Sequence, residues 1–461
     1  MHTDLINLLS ITSRHDDPNK CLSFRYSSFN HYWLAIIMLT FIFLTGLPGQ
    51  NKSVNAIGTE ALTLATELSS PIYTGRQMGT PGSVKAAEVL IKYLNDAGLL
   101  TTTQEFQELL PFCKGQAMLE VIYPNGSKKE FKFREDFREE IKGGFIGGSA
   151  EGSLYPISAT SDNFPNGAIL LIPSKVYKIE DDLLYRSKGA AGIIIEISPA
   201  TAKIKSTYAG QGYNIRVMPQ DGLIKMGASY SVFAELLSAS NKKTKVKLAN
   251  PIEYIDVVGK NIIASYNGDG GDFTPLFVLT AHYDHVGQDA NGKYFAGALD
   301  NASGTALASS IAKTLVAAKF KGDFAVILSD GEESGLYGAF AFIKDPTFNI
   351  SGIPMINIDL VGASGDLPIT LEYSNDQVVP FVKTVAKFLG NAGISTEQRK
   401  SDSGSDFVAY SLIGGLSVSL TEYRYIYHTF ADTSKELSSS ELTRLGKAIY
   451  TWATGIIENK K

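Results

Sequence analysis

The amino-acid sequence predicts an α/β fold, a three-layer sandwich with a mixed, mostly parallel central sheet. Short apolar runs rich in β-branched and aromatic residues, such as 276–279 and 324–328, end abruptly at polar residues. This pattern is typical of buried parallel strands that end at the rim of a sheet. Amphipathic helical patterns separate these runs, so strands and helices alternate along the chain. A length of 461 residues exceeds one average domain and indicates two.

The N-terminal region contains an apolar run at residues 33–47, interrupted only by two threonines and a glycine. This run is shorter than the roughly 20 residues that span a bilayer, and Pro48 and Gly49 follow at once, so the pattern favours a signal peptide within residues 1–50. An uncleaved membrane anchor is the alternative interpretation. We therefore expect an extracytoplasmic protein that is periplasmic, secreted or held at a membrane through residues 33–47.

The remainder divides into a main domain and an insertion. Residues 57–114 form the first part of the main domain, with a glycine-rich loop at 75–82 that leads into an amphipathic helix. Residues 115–252 change to short strands and turns, so they are predicted to form a separate β-rich module. The main domain resumes over residues 253–461 and carries the remaining strand and helix patterns.

Three expectations concern particular strands. A hairpin is predicted around the Asn125-Gly126 turn signal. The lysine-rich run 242–247 is interpreted as a solvated edge strand. At the start of the second part of the main domain, strand 261–266 is expected to lie next to strand 276–280.

Composition argues against a nucleic-acid partner, because the formal net charge is −5 and the sequence pI is about 5.8. Histidine usage is more informative. Three of the six histidines precede the apolar run, and the other three are His282, His285 and His428. Every histidine of the predicted globular part therefore lies in one of two stretches that follow predicted strands.

Imidazoles and carboxylates gather at the ends of four predicted strands, and the carboxyl ends of such strands converge at one edge of an α/β sheet. The candidate metal ligands are His282, Asp300, Glu333, Asp359 and His428. Imidazole nitrogen and carboxylate oxygen are zinc ligands. Five ligands are too many for one tetrahedral catalytic ion but enough for two ions that share a bridging carboxylate, a centre suited to amide hydrolysis.

The adjacent glutamates Glu332 and Glu333 follow one of these strands. Successive side chains in a loop diverge, so one glutamate is expected to bind metal and the other to act as a general base. Taken singly, such motifs are usually structural: adjacent glutamates complement a helix dipole, and the segment 300–304 alone resembles a helix N-cap. Their occurrence together, at ordered strand ends, favours the metal site.

Five motifs occur in order: AHYDHVG, GALDNASGTA, SDGEESGLYGAFAF, INIDLVG and YHTFADT. They resemble the signatures of the co-catalytic zinc aminopeptidase family, metallopeptidase family 28, and the loop 75–82 resembles the N-terminal loop of that family. The insertion contains NGAILLIPS and KGAAGIIIE and resembles the protease-associated (PA) domain that many members carry. The resemblance covers nearly all of residues 57–461 and implies a zinc exopeptidase fold.

The resemblance also implies a cofactor content of two Zn²⁺ ions per chain. By motif position, His282 and Asp359 hold one ion, Glu333 and His428 hold the other, and Asp300 bridges them.

Three catalytic residues are implied in the same way. Glu332 matches the general base of the family. Asp284 matches a carboxylate that orients the ring of His282, and Tyr427 matches a tyrosine that helps to stabilise the oxyanion.

Asp432 is expected to support the ring of His428, whereas His285 is expected to be only a loop residue near the cleft. The sequence departs from the usual family pattern at 405–410 and 414–417, which shape the substrate cleft, so specificity does not follow from the resemblance. No implied metal ligand is affected by these departures.

The function that we expect is that of an exported di-zinc aminopeptidase, which hydrolyses peptides with a metal-activated water and a glutamate general base. The alternative on the same scaffold is a PA-containing carboxypeptidase or dipeptidase, with arginines such as Arg399 and Arg424 to bind a free carboxylate. Further hypotheses are a single-zinc glutaminyl cyclase-like transferase and a binding protein with an inactive peptidase fold. The expected partner is a peptide substrate, and the sequence specifies no oligomeric state.

Overall fold

The computed structural model describes residues 48–141, 147–160, 162–205, 223–241, 243–365 and 367–458. The apolar run 33–47 lies outside these residues, so the prediction of a signal peptide or anchor is not tested. Among the helices in the described ranges, none combines the length and the apolar character needed to cross a membrane.

The described residues form ten α-helices and sixteen strands. The helices are α1 (Pro48–Leu68), α2 (Pro81–Asp96), α3 (Asp182–Ser187), α4 (Pro199–Ala202), α5 (Tyr230–Ser240), α6 (Ser303–Ala317), α7 (Tyr337–Lys344), α8 (Val379–Asn391), α9 (Phe407–Leu412) and α10 (Ser439–Glu458). The strands are β1 (Leu100–Cys113), β2 (Met118–Ile122), β3 (Lys128–Glu130), β4 (Phe137–Glu139), β5 (Gly148–Pro156), β6 (Ile169–Ile172), β7 (Gly192–Ile197), β8 (Ile224–Ser229), β9 (Lys245–Asn250), β10 (Ile252–Tyr266), β11 (Val278–His282), β12 (Phe324–Ser329), β13 (Pro354–Asp359), β14 (Ile369–Tyr373), β15 (Thr396–Lys400) and β16 (Leu416–Thr421).

The main domain is built on an eight-stranded mixed sheet in the order β1-β10-β12-β11-β13-β16-β14-β15. Its four central strands, β12, β11, β13 and β16, run parallel to one another, and antiparallel pairs flank them on both sides. The predicted α/β class with a mixed sheet is therefore confirmed. The expected pairing of 261–266 with 276–280 is wrong, because β12 lies between β10 and β11. Apolar periodicity identifies strands but does not specify their order.

Helices cover both faces of this sheet, because successive strand residues point to opposite sides. Leu279 packs on one face in a cluster that includes Leu307 of α6 and Leu445 of α10. Its neighbour Val278 packs on the other face in a cluster that includes Phe342 of α7. Burial of a large apolar side chain contributes roughly 1.5–3 kcal/mol, so these two clusters hold the strand ends of the sheet in place.

Strands β2 to β9 form a second eight-stranded sheet in the order β3-β2-β9-β5-β6-β7-β8-β4. The hairpin is present, because β2 pairs antiparallel with β3 across the Asn125-Gly126 turn. The edge-strand interpretation of 242–247 is wrong. Strand β9 lies between β2 and β5 and buries Val246 and Leu248, while its lysines occupy the opposite, more exposed face. The PA-like identity of this module and the domain boundaries stay predictions.

Candidate metal centre

The central parallel strands deliver the predicted site residues to one edge of the sheet. His282 is the last residue of β11, and Asp359 is the last residue of the adjacent strand β13. Glu333 lies in the loop after β12, and His428 lies in the loop after β16. Because these four strands are parallel neighbours, their carboxyl ends meet, as expected for a ligand site in an α/β sheet.

One group of ligand atoms surrounds His282. Its Nε2 lies 3.2 Å from Asp359 Oδ1 and 3.5 Å from Asp300 Oδ1. All three side chains are buried, and their ligand atoms lie within 4.8 Å of one another, close enough to hold a metal ion.

A second group surrounds His428. Its Nε2 lies 2.7 Å from Glu333 Oε2 and 3.1 Å from Asp300 Oδ2. The two carboxylate oxygens of Asp300 therefore face different ligand groups. The structure brings together all five residues that the sequence predicted as ligands, and it makes Asp300 their common member.

His285 lies in the loop after β11, as expected, but its ring takes a larger part in the centre than the sequence indicated. Its ring is fully buried, and Nδ1 lies 2.8 Å from Glu333 Oε1 and 3.8 Å from Asp300 Oδ2. One of its ring nitrogens lies within 4.8 Å of ligand atoms of Asp300, Glu333 and His428. The sequence signal was a second histidine three residues after His282, in the same loop.

Asp284 connects His282 to the glutamate loop. Its Oδ1 lies 3.4 Å from His282 Nδ1, the distance of an ion pair rather than of a well-formed hydrogen bond. The same carboxylate accepts hydrogen bonds from the backbone N–H groups of Glu332, at 3.2 Å, and Glu333, at 3.3 Å. Burial raises the pKa of Asp284 above its ordinary value. The orienting role of Asp284 stays a prediction, and its contacts with the backbone of the glutamate loop were not indicated by the sequence.

Asp432 holds Asp300 rather than the ring of His428. Its carboxylate accepts from the backbone N–H of Leu299 at 2.7 Å and from that of Asp300 at 3.1 Å. The expectation that Asp432 supports His428 is therefore wrong in its target. A sequence motif does not show which side chain contacts the backbone of Asp300, so this contact was not predicted.

Arg76 is a fully buried residue that the sequence analysis did not assign to the site. Its guanidinium donates to the carbonyls of Tyr283, at 2.8 Å, and Gly297, at 2.7 Å. It thereby joins the loop after β11 to the loop that leads to Asp300. Burial lowers its pKa to about 10, so the group stays protonated at neutral pH.

The carboxylates around His282 and His428 raise the pKa values of the two imidazoles. Burial alone would lower their pKa values, but Glu332 and Asp359 outweigh it and raise the pKa of His282 well above its ordinary value. Glu333 in the same way raises the pKa of His428 to about 10. The centre therefore has a strongly negative potential.

The adjacent glutamates have opposite pKa shifts. Burial, together with the nearby carboxylates of Glu333 and Asp359, raises the pKa of Glu332 well above its ordinary value. For Glu333, burial acts in the same direction, but His428 and His285 outweigh it and hold the pKa well below the ordinary value. Environments that separate the pKa values of two neighbouring carboxylates mark different chemical roles.

The donor set fits a divalent cation such as zinc. Within the described residues, the ion pairs of the converging carboxylates are all with imidazoles and not with lysine or arginine. Buried like charges repel one another unless a cation compensates them. Imidazole nitrogen and carboxylate oxygen are the donors that zinc accepts.

Tyr427 borders the second ligand group. Its ring is half-buried and lies edge-on to the ring of His428, with 5.0 Å between the ring centroids. Burial and the nearby carboxylates of Asp300 and Glu333 raise its pKa. Its hydroxyl therefore stays protonated at neutral pH and can donate a hydrogen bond.

Two buried cations of the insertion contact the loops that carry these residues. Lys205 Nζ donates to two carbonyls of the 286–288 segment, and its backbone N–H donates to the carbonyl of His428 at 3.2 Å. Arg134 Nε lies 3.1 Å from Asp289 Oδ2. The insertion therefore touches both the loop after β11 and the loop that ends at His428.

Comparison with known proteins gives a family match over the second part of the main domain. Residues 261–453 match the sequence model of peptidase family M28. A vacuolar membrane protease of Schizosaccharomyces japonicus is 27% identical over 196 residues, which cover 41% of this chain and 22% of that protein. A probable zinc metalloprotease of Pyrenophora tritici-repentis is 37% identical over 109 residues, which cover 23% of this chain and 22% of that protein. The chain thus spans about a fifth of the length of these curated relatives.

Solved structures share the fold over most of the chain. An aminopeptidase from Aneurinibacillus sp. strain AM-1 superposes with a TM-score of 0.65 at 18% identity, covering 87% of this chain and 95% of that one. A zinc aminopeptidase from Bacillus subtilis gives a TM-score of 0.63 at 19% identity, with the same coverage of 87% and 95%. The match of residues 261–453 to the model of peptidase family M28 includes every residue of the candidate metal centre from His282 to His428.

Proposed function

We propose that the protein is a di-zinc aminopeptidase that hydrolyses N-terminal residues from peptides. The observation that carries this proposal is the divided environment of Asp300, whose Oδ1 lies 3.5 Å from His282 Nε2 and whose Oδ2 lies 3.1 Å from His428 Nε2. A carboxylate in this arrangement could contribute one oxygen to each of two divalent ions. The aminopeptidases that share the fold and the relative named a zinc metalloprotease support the proposal.

In this function His282 and Asp359 would hold one ion, Glu333 and His428 would hold the other, and Asp300 would contribute to both positions. When bound, the zinc pair supplies Lewis acidity toward the scissile carbonyl and lowers the pKa of the attacking water.

Glu332 serves as the general base. Its carboxylate belongs to neither ligand group but lies 4.0 Å from His282 Nε2, with 11% of the side chain exposed, so it faces the centre and can still be reached. From this position the carboxylate can take a proton from water and pass it to the leaving amine. Glu333 would serve as a ligand instead, because its carboxylate lies within 4.8 Å of the ligand atoms of Asp300 and His428.

Three residues around the ligands complete the proposed chemistry. Asp284 orients the ring of His282 and holds the glutamate loop, while Asp432 holds the backbone at Asp300. The hydroxyl of Tyr427 can donate a hydrogen bond to the developing oxyanion.

The environment of Arg399 favours an aminopeptidase over a carboxypeptidase. The guanidinium of Arg399 contacts the buried carboxylate of Glu372 and the hydroxyl of Tyr423, and Arg424 donates to the carbonyl of Ser364 at 2.7 Å. Recognition of a substrate carboxylate requires a fork of free donors, and in Arg399 the donors Nε and Nη2 are already engaged within the chain. Arg424 makes this one contact, and its Nε has no hydrogen-bond partner among the described residues.

We also propose a location outside the cytosol, with residues 33–47 as signal peptide or anchor. The apolar run and the relatives named vacuolar membrane proteases support this location. The PA-like character of residues 115–252 belongs to the same proposal and is supported by the resemblance of its motifs.

The test is turnover of aminoacyl p-nitroanilides, compared with a dipeptide blocked at its N-terminus, by wild-type protein and the Glu332→Gln variant. Glu332→Gln should lose about a thousandfold in kcat because it cannot accept a proton, while zinc analysis still gives two ions per chain. The matched control Glu397→Gln changes an exposed glutamate on β15 and should keep wild-type turnover. One zinc per chain would favour the cyclase-like alternative, and cleavage of the blocked peptide alone would favour a carboxypeptidase.

A further inference from the structure

The ring of His285 lies beside the second ligand group without being one of the five proposed ligands. Its Nδ1 lies 2.8 Å from Glu333 Oε1. The other oxygen of the same carboxylate, Oε2, lies 2.7 Å from His428 Nε2. The two histidines therefore bracket the carboxylate of Glu333, with one imidazole at each oxygen.

The surrounding backbone fixes the ring of His285. A Cβ atom on Gly297 would come within 2.4 Å of ring atoms Cγ and Cδ2, so the ring occupies space that only a glycine leaves free. The backbone N–H of His285 donates to the carbonyl of Arg76 at 3.4 Å, and the side chain of Arg76 holds the carbonyl of Gly297 at 2.7 Å. The ring is thus held between two segments that Arg76 joins.

The two ring nitrogens of His285 have different surroundings. Nδ1 faces the carboxylate of Glu333, whereas Nε2 is buried and has no hydrogen-bond partner among the described residues. A metal-binding histidine almost always directs its second ring N–H at a carboxylate, carbonyl or water. Nδ1 of His282 lies 3.4 Å from Asp284 Oδ1, which is an ion-pair contact rather than a well-formed hydrogen bond. Metal binding through Nδ1 of His285 would leave an unpaired N–H on the buried Nε2, which is disfavoured. When the hydrogen is on Nδ1, the N–H group donates to Glu333 and is satisfied. The buried Nε2 then carries only a lone pair without a donor.

We propose that His285 is a positioning residue for the second metal position, an inference that rests on the two-metal function proposed above. Its Nδ1–H donates to Oε1 of Glu333 and leaves Oε2 directed at the ion beside His428. Without this hydrogen bond the carboxylate of Glu333 can rotate. The second ion should then bind more weakly, while the ion at His282 and Asp359 keeps its affinity.

The experiment measures both zinc dissociation constants of the full chain by competition with a chromophoric chelator. Wild-type protein is compared with His285→Ala, His285→Asn and His285→Gln. The amide nitrogen of asparagine can stand where Nδ1 stands in histidine, whereas that of glutamine reaches one bond further. We expect His285→Ala and His285→Gln to weaken the second zinc about 10–100-fold, and His285→Asn to stay within about threefold of wild type. Thermal unfolding of the metal-free proteins shows which variants are folded.

Three results would overturn the inference. Asparagine binds zinc poorly, so a loss in His285→Asn as large as in His285→Ala would make His285 a ligand instead. Two zinc ions with unchanged affinities in His285→Ala would remove any role of the ring in metal binding, while the two-metal function stands. Wild-type protein that binds one zinc would overturn the proposed two-metal function itself, and the inference with it. Spectra of the cobalt-substituted protein provide a second measurement. If His285 is a positioning residue, His285→Asn has the same metal ligands as wild type, so the absorption bands of the second site should not change.

Discussion

The two ligand groups of the metal centre differ in how the chain holds them. His282 and Asp359 end the adjacent parallel strands β11 and β13, which are in register at Thr280 and Asn357. The side chains of this pair are also joined, because Thr280 Oγ1 donates to Asn357 Oδ1 at 2.8 Å. The ladder that forms the sheet therefore also sets the spacing of the first ligand group.

The second group lies on loops. Glu333 follows the end of β12 by four residues, and His428 follows the end of β16 by seven. His428 has a φ of +56°, a left-handed conformation that is uncommon for residues other than glycine. Contacts from outside its own loop hold this group, namely the ring of His285 at Glu333 and the backbone N–H of Lys205 at His428.

This difference indicates that secondary structure preforms one metal position and that long-range contacts assemble the other. An ion held by loops can be lost through local opening of those loops, whereas loss of strand-end ligands requires distortion of the sheet. We therefore expect the second ion to leave first when a chelator is added.

The largest effect should come from Asp300→Ala, which removes the one residue that the two groups share. Neither position keeps its full ligand set, so we expect both zinc ions to be lost in a chelator-buffered solution and turnover to fall at least about a thousandfold. Metal analysis after dialysis and a nitroanilide assay measure this. The control Asp402→Ala changes an exposed carboxylate and should leave both values unchanged. If Asp300→Ala retained two ions, the shared role of Asp300 would be refuted.

Part of the fold was predictable from the sequence. The strands of the parallel core follow from their apolar runs, because buried strands need apolar residues on both faces. The order of the strands was not predictable: β12 separates β10 from β11, and apolar periodicity carries no information about neighbours. Strand β9 was misplaced at an edge for a related reason, because its lysines identify an exposed face but not an exposed edge.

The residues of the metal centre likewise fall into those that the sequence predicted and those that it did not. His282 and Asp359 were predicted from their places at strand ends, where sequence position nearly determines spatial position. His285 was missed because its place depends on Gly297 and Arg76, which belong to other segments. Lys205 was missed because its partners are backbone carbonyls, and any sequence offers those. Contacts of this kind become visible only in three dimensions.

Zinc binding should release protons from the metal-binding histidines, and the number released can be predicted. The surrounding carboxylates hold the pKa of His428 at about 10 and raise that of His282, so both imidazoles are protonated at pH 7 in the metal-free protein. Each ring must lose its proton to bind metal, so the binding of two zinc ions should release about two protons from these rings. The apparent zinc affinity should therefore fall as the pH is lowered, by roughly tenfold per pH unit for each proton released.

Isothermal titration calorimetry in two buffers with different ionisation enthalpies measures this release. His428→Ala should release about one proton fewer than wild type. A binding heat that does not depend on the buffer would contradict the raised pKa values.

The smallest effect is expected from Lys205→Met, which tests whether the insertion contributes to the second metal position. Methionine keeps much of the length and apolar stem of lysine but cannot donate to the carbonyls of the 286–288 segment, which then lack their buried donor. The backbone N–H of residue 205 can still reach the carbonyl of His428, so only part of the contact is lost. We expect the second zinc to bind roughly three- to tenfold more weakly, below the 10–100-fold typical of residues that touch a ligand directly.

Lys203→Met is the matched control, because Lys203 is exposed and lies two residues away in the same segment. The affinity of the first zinc should be equal in wild type and both variants, since β11 and β13 hold that position without help from the insertion. An equal weakening of both ions in Lys205→Met would mean that the insertion stabilises the whole centre. The two ligand groups would then be held by one cooperative unit rather than by a rigid sheet and a set of loops.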